Sequence, residues 1–353
     1  MQNRFDIQSV GLVPATKTLT YTRYCEAIAA GLPPQLDYLA RRAECRVDFE
    51  ALMPGTVTVV CCAVFLPVFD IRTPMHFARF CAIGDYHLVV RERIAALERW
   101  LRSRYPIQNS RICVDSAPIL ERELAVRAGI GNIGRNHLVY HPEYGSYIVL
   151  GELLVDVDLL PFRQEIEFGV HPRADCTREL TPGLSGCCEG RCIESCPTQA
   201  LTWDGYNASR CLAYWTTQHK GMIPEPFASA MQDVIWGCDR CQIVCPRNAN
   251  VPVPSVSDDS NPLNNLTMHE ILTFSARKLR QRLAGSSIAD AHPYMLVRNA
   301  CIVLRNTDSA EVYRNELEDL STSHACEWVR DAARLALDSM KIKALFNDHG
   351  YTK

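Results

Sequence analysis

The stretches CEGRCIESCP (188–197) and GCDRCQIVCP (237–246) decide how this chain must be built, and isolated Cys211 stands between them. Each stretch ends in Cys-Pro. In two-cluster ferredoxins, a cysteine run of this kind sends its leading thiolates to one iron–sulfur cube, while the cysteine before proline reaches the other. Crossed in this way, Cys196 joins Cys211, Cys238 and Cys241 around one 4Fe–4S cluster. Cys245 crosses back to join Cys192 and two earlier cysteines drawn from Cys176, Cys187 and Cys188. The first run is irregular, because the places three and six before Cys192 hold Glu189 and Gly186. Cys188 is therefore the first choice, and Cys187 and Cys176 compete for the last corner. Tetrahedral zinc is the alternative that soft thiolates also permit. The repeated Cys-Pro ending and the number of thiols favour two 4Fe–4S clusters.

The remaining composition is that of an ordinary folded protein: 353 residues, 47% hydrophobic and 22% charged. Lys plus Arg is 37 and Asp plus Glu is 40, a formal net charge of −3. A nucleic-acid partner would thus have to be held by a local basic patch. The chain carries 17 cysteines, an odd count, and opens on MQNRFDIQSVGLVP, which lacks a signal-peptide core. The most apolar run, Val57 to Val68, contains Thr58 and Pro67 and is too short to cross a bilayer. These features point to a reducing, cytoplasmic protein with no membrane association.

Working outward, residues 1–165 alternate apolar strand-like runs with amphipathic helices, the pattern of an α/β domain. VTVVCCAVFLPV (57–68) reads as a strand covered on both faces. Val90, Ile94, Leu97 and Leu101 follow at helical spacing. RICVD (111–115) reads as a strand, APILERELAVRA (117–128) as a helix opened by Pro118, and SYIVLGELLVDVDL (146–159) as a further strand region. Residues 166–255 form the cysteine-dense ferredoxin-like unit. Beyond the linker-like NANVPVPSVSDDSNPLNN (248–265), residues 256–353 read as helical. One stripe there is Val297, Cys301 and Leu304; another is Val329, Ala333, Ala336 and Met340.

Taken in order, these segments resemble the epoxyqueuosine reductases, cobalamin-dependent iron–sulfur enzymes of tRNA modification. The similarity runs through LDYLARRAECRVDFEALMPGTVTVV, GDYHLVVRERIAAL, VDSAPILERELAVRAGIGNIGRNHLV and GSYIVLGELLVDVDL. It continues through CIESCPTQAL, SRCLAYWTTQHKGMIP and GCDRCQIVCPRN, and ends in VRNACIVLRN and VRDAARLAL, which resemble C-terminal HEAT-like helices. The resemblance implies an α/β cobalamin-binding domain, a double 4Fe–4S domain and a helical HEAT-like region. It implies conversion of epoxyqueuosine to queuosine in tRNA by a Co(I) nucleophile, with electrons from a donor protein such as ferredoxin or flavodoxin.

Departing oxygen carries negative charge and needs an acid. Asp115, in VDSAP, matches the family's catalytic acid, and a carboxyl facing an apolar cofactor is desolvated and keeps its proton. Its structural alternative is a helix N-cap by Asp115 or Ser116. Tyr86 and His87 match positions flanking the active site. In the same likeness Gly131, Ile133, Gly134, Arg135 and Asn136 line the cobalamin. GIGNIG (129–134) also spells a dinucleotide fingerprint, yet it follows a helical pattern where a Rossmann turn must follow a strand. Asp85-Tyr86-His87 begins like a cobalt-ligating Asp-x-His-x-x-Gly motif, but position 90 is Val.

The substrate side departs from the family. The segment before the Leu-Arg-Asn-like turn reads SSIADAHPYMLVRN, with only Arg298 as a nearby cation. Arg277, Lys278, Arg280 and Arg282 form a basic cluster upstream, equally readable as a solvated helix face. From 256 to 353 there are 12 basic and 13 acidic side chains. The alternatives to tRNA are a free nucleoside or an organohalide as substrate, or a ferredoxin-like electron carrier with no chemistry of its own.

Overall fold

A computed structural model of the chain describes residues 5–65, 71–170, 190–252 and 261–348. Cys176, Cys187 and Cys188 lie outside the described residues. The strands in chain order are β1 (Ser9–Pro14), β2 (Thr58–Phe65), β3 (His76–Phe77), β4 (Ser110–Cys113), β5 (Asn132–Ile133), β6 (Val139–Tyr140), β7 (Ile148–Val155) and β8 (Val234–Trp236).

Every residue of β2 is buried, as its continuous apolar run requires. The strand lies inside a four-stranded sheet of order β1-β2-β7-β4, and each pairing is antiparallel. Successive strand residues point to opposite faces. On one face Val60, Cys62 and Val64 pack with Val90, Ile94, Leu97 and Leu101 of the Tyr86–Arg102 helix. On the other, Val59, Cys61 and Ala63 pack with Leu124 and Ala125 of the Glu121–Arg127 helix. Two helical layers thus explain why an antiparallel strand carries no polar face.

The second of these helices begins later than Pro118 predicts. The chain is still turning after β4: Asp115 has φ +55, and Ser116 and Ile119 donate backwards to the carbonyls of Val114 and Ala117. Helical geometry starts only at Glu121, so Pro118 lies in the turn rather than in the helix.

The cysteine-dense region and the C-terminal helices share one core. Leu212, Met231 and Trp236 pack with Leu279, Ala300 and Cys301, and Met75, Phe77 and Cys81 join them from the earlier part of the chain. β3 pairs with β8 in parallel across that junction. The latter part of the linker-like segment is core as well: Asn261 and Asn264 are buried, and the Asn261 amide donates to the Cys81 carbonyl at 2.9 Å. Of the two expected stripes, Val297, Cys301 and Leu304 are buried in the Pro293–Asn306 helix, as are Val329, Ala333 and Ala336 in the Glu327–Asp348 helix, with Met340 packed at the edge.

Arg298, the one cation that the sequence leaves near this segment, is completely buried. Its guanidinium donates to the carbonyls of Trp215 at 2.9 Å, His219 at 2.7 Å and Gly221 at 2.6 Å. Asn299 donates beside it to the carbonyls of Thr216 and Ile235. The Val-Arg-Asn segment of the Pro293–Asn306 helix is therefore a dock between helices and cluster region, and Arg298 is unavailable to phosphate. Among the described residues no helix is long and apolar enough to cross a membrane.

Candidate active site and cluster region

Three elements meet at Asp115. β4 ends two residues before it, the Tyr86–Arg102 helix begins opposite, and the Glu121–Arg127 helix follows. Asp85 caps the first of these helices, its carboxylate accepting from the His87 amide at 3.0 Å. The Asp85 amide in turn donates to the Gly285 carbonyl, tying the helix start to the C-terminal part. That cap aims the first helical side chains at Asp115. The Tyr86 hydroxyl donates to Asp115 Oδ2 at 2.9 Å, and His87 Nε2 lies 3.2 Å from the same oxygen. His87 Nδ1 meets Asp85 Oδ1 at 2.9 Å, so the imidazole spans two carboxylates. Burial and the neighbouring Asp115 charge push the Tyr86 phenol well above its ordinary range, which keeps it a donor.

Neither Asp115 nor Ser116 caps a helix: the N-cap position of the following helix is Leu120, without a side-chain bond. The protein itself leaves the Asp115 side chain 57% exposed, toward the site. The desolvated carboxyls are its neighbours. Glu121 Oε1 accepts from the Asp115 amide at 3.0 Å, and burial followed by repulsion from Asp115 pushes the Glu121 carboxyl up to about 8. Glu152 is fully buried, and burial raises its carboxyl well above the usual range. Both escaped sequence reasoning. A charged residue inside the apolar run IVLGELLV was the available signal for Glu152.

The glycine-rich segment closes the helix as the alternative to a Rossmann turn requires. Gly129, at φ +79, follows the last helical turn in a conformation that suits glycine. Gly131 packs so closely on the Tyr140 carbonyl that a Cβ would collide with it, which holds β5 against β6. Ile133 points into the core, so the face it leaves for a ligand is backbone. Gly134 donates to the Leu138 carbonyl, and Asn136 Oδ1 accepts from the Leu138 amide at 3.3 Å, making a tight turn. Arg135 stacks over the Trp203 ring at 4.5 Å, and His137 lies 5.6 Å from the Tyr206 ring. Tyr206 in turn lies close enough to Cys211 to feel its charge, so this loop reaches the cysteine region.

Large exposed rings surround these residues: Tyr38, Phe80, Trp203 and Tyr206. Tyr38 feels the Asp115 charge, and Phe80 meets Tyr86 edge-on. Exposed aromatics gathered on a glycine-rich loop suit a broad, flat, largely apolar ligand with polar fringes. A corrin ring answers that description.

In the cysteine region, Cys196, Cys211, Cys238, Cys241 and Cys245 are free thiols, and Cys192 is buried beside them. Cys241 feels the charge of Cys238, Cys211, Cys192 and Cys196, so thiols from both cysteine runs face one another. Burial opposes ionisation of Cys196, but hydrogen bonds from the Leu201, Thr198 and Ala200 backbone and the Thr198 hydroxyl outweigh it and hold this thiol below its ordinary value. Such a thiol is disposed to ligate as thiolate. Among the described residues no three His, Cys, Asp or Glu side chains close on one point as a lone metal ion needs. A cluster spans the space between its thiolates with its own sulfides.

The comparisons with known proteins follow the same division. Residues 46–116 match the family described as "Epoxyqueuosine reductase QueG, DUF1730", and residues 186–248 match a 4Fe-4S double cluster binding domain. The chain is 31% identical to an epoxyqueuosine reductase of Aliivibrio fischeri over 303 residues, covering 83% of this chain and 77% of that one. It is 32% identical to that of Escherichia coli over 302 residues, covering 82% and 75%. A solved epoxyqueuosine reductase bound to a tRNA-Tyr epoxyqueuosine-modified stem loop superposes with a TM-score of 0.81 at 25% identity, over 99% of this chain and 92% of that one. The Bacillus subtilis enzyme, described with an Asp catalytic loop swung out of the active site, superposes at 0.79 and 25% identity, over 96% and 88%. With its iron–sulfur domain and its sequence kinship over most of both chains, this protein belongs to the epoxyqueuosine reductase family.

Proposed function

We propose that the chain reduces the epoxide of epoxyqueuosine in tRNA to the alkene of queuosine, with Asp115 as the proton donor, cobalamin as cofactor and two 4Fe–4S clusters as the electron path. The observation that carries the reading is the Asp115 carboxyl, held by Tyr86 and His87 beside a glycine-rich loop that reaches Cys211 through Tyr206. The relative bound to a modified stem loop supports tRNA as the substrate class.

Cobalamin, when bound, supplies a strongly nucleophilic, low-valent cobalt. The residues that would hold it are Gly131, Ile133, Gly134, Arg135 and Asn136, with Tyr86 and His87 along its edge. Asp115 gives its proton to the oxygen leaving the substrate, while Tyr86 and His87 fix the carboxyl's direction and stabilise the anion it leaves. Exposed rings exclude water from that exchange. Cys196, Cys211, Cys238 and Cys241 hold one cluster; Cys192 and Cys245 hold the other with two of Cys176, Cys187 and Cys188. Electrons enter from a small donor protein such as ferredoxin or flavodoxin. HEAT-like helices, docked through Arg298, support the tRNA side.

The test is turnover of an epoxyqueuosine stem loop by reduced, cobalamin-loaded protein. Asp115→Asn is expected to lower the rate by roughly 100-fold or more, the usual range for losing a general acid. An unchanged rate overturns the assignment.

A further inference from the structure

We infer that Glu121 is a positioning residue for Asp115: its carboxyl latches the Asp115 turn in place by accepting the Asp115 backbone amide. The inference rests on Asp115 being the acid of the proposed reaction. Asp115 has φ +55, a left-handed conformation that side chains with a Cβ adopt only where the surroundings hold them. Its own side chain, 57% exposed, is gripped only by Tyr86 and His87 from the neighbouring helix. The backbone is held from the other side, where Glu121 Oε1 accepts the Asp115 amide at 3.0 Å. Glu121 is the first residue of its helix, so this bond also joins the turn to a rigid element.

The grip holds in either charge state of Glu121, and what differs is the charge it sets beside Asp115. A neutral carboxyl accepts the amide through its carbonyl oxygen and leaves Asp115 undisturbed. An ionised one accepts it too, but sets a second negative charge against the Asp115 carboxyl. Few surrounding groups favour the ionised form. Asp115 and Tyr86 face Glu121 from the site, and Cys113 faces it from β4. Behind it lies Glu152, buried in register with Cys61 and Cys113, with Oε2 lacking any hydrogen-bond partner. Cys62 also faces Glu152. The one facing cation, Arg122, donates to the His137 carbonyl at 2.6 Å. Burial and Asp115 together push Glu121 up to about 8, against the pull of the Asp115 amide, so at neutral pH the protonated carboxyl carries the latch.

The experiment compares Glu121→Gln, which keeps an acceptor oxygen without the charge, and Glu121→Ala, which loses both, in the cobalamin-loaded protein. Hydrogen exchange of the segment 113–120 is read beside kcat and KM. Glu121→Ala is expected to speed exchange at Asp115 and lower kcat, each roughly tenfold, with KM little changed. Glu121→Gln, which keeps the acceptor oxygen, is expected to stay within roughly threefold of wild type on both. A Glu121→Gln variant that loses as much kcat as Glu121→Ala overturns the latch, as does wild-type exchange in Glu121→Ala. If exchange responds as expected while Asp115→Asn leaves turnover unchanged, the latch stands and the acid assignment falls.

Discussion

The phenol of Tyr86 donates to Oδ2 of Asp115 at 2.9 Å, across 29 residues of sequence, because one ends up at a helix start and the other beyond a strand end. A hydrogen bond to an ionised partner contributes about 1.5–3 kcal/mol. Tyr86→Phe is therefore expected to slow single-turnover reduction by roughly tenfold or more, less than Asp115→Asn. Equal rates in Tyr86→Phe and wild type would show that the phenol does not support the acid.

Arg298 joins the C-terminal helices to the cluster region through three carbonyls. Removing it leaves those buried acceptors unpaired, at about 1–3 kcal/mol for each lost partner. Arg298→Ala is expected to destabilise the fold by roughly 3 kcal/mol or more in denaturant titration, and Arg298→Lys to recover little, because an ammonium cannot reproduce the planar fork. A variant as stable as wild type would remove Arg298 from that role.

The contribution of Glu121 to folding stability is expected to fall between about pH 4.5 and pH 8. Below the ordinary carboxyl range, Glu121 is protonated in both folded and unfolded chains and adds no slope. Above it, the unfolded chain ionises Glu121 while the fold retains its proton up to about 8. Over that window the native state binds more protons, so rising pH favours unfolding. Beyond it both states are ionised and the Glu121 slope vanishes. Glu152, raised for the same reason, adds in the same direction. Thermal melts of Glu121→Gln should show a flatter pH dependence; a Tm profile parallel to wild type would exclude Glu121 as a source.

Cys241 faces thiols of both cysteine runs. If it ligates one of two cubes, Cys241→Ala in anaerobically purified protein loses about half of some eight irons per chain, and the remaining cluster keeps its paramagnetic signal on reduction. Full iron content in that variant would remove Cys241 from the ligand set. Zinc in place of iron in the wild type would overturn the cluster reading altogether.

Much of the architecture was legible because it is local. The burial of Val90, Ile94, Leu97 and Leu101 follows from a spacing of three and four, and the fully buried β2 from an unbroken apolar run. The glycine segment after a helix excluded a Rossmann turn for the same kind of reason, and the chain bears that out. Pro118 misled because proline is as much at home in a turn as at a helix start, and the left-handed Asp115 had already committed the chain to turning. The linker-like stretch misled too: its polar composition is that of a tether, yet Asn261 and Asn264 spend their amides on the core.

Sequence alone determined the cysteine spacing, the alternation of helices and strands and the family likeness, since ligand intervals and apolar periods are written within a few residues of one another. Tertiary structure decided the environments. Whether a charge is buried or solvated depends on neighbours far away in the chain, and this is why Arg298 proved to be a buried dock. It is also why Glu152, which β7 carries into the interior, and Glu121, half-buried at the start of the second sheet-covering helix, are raised behind Asp115.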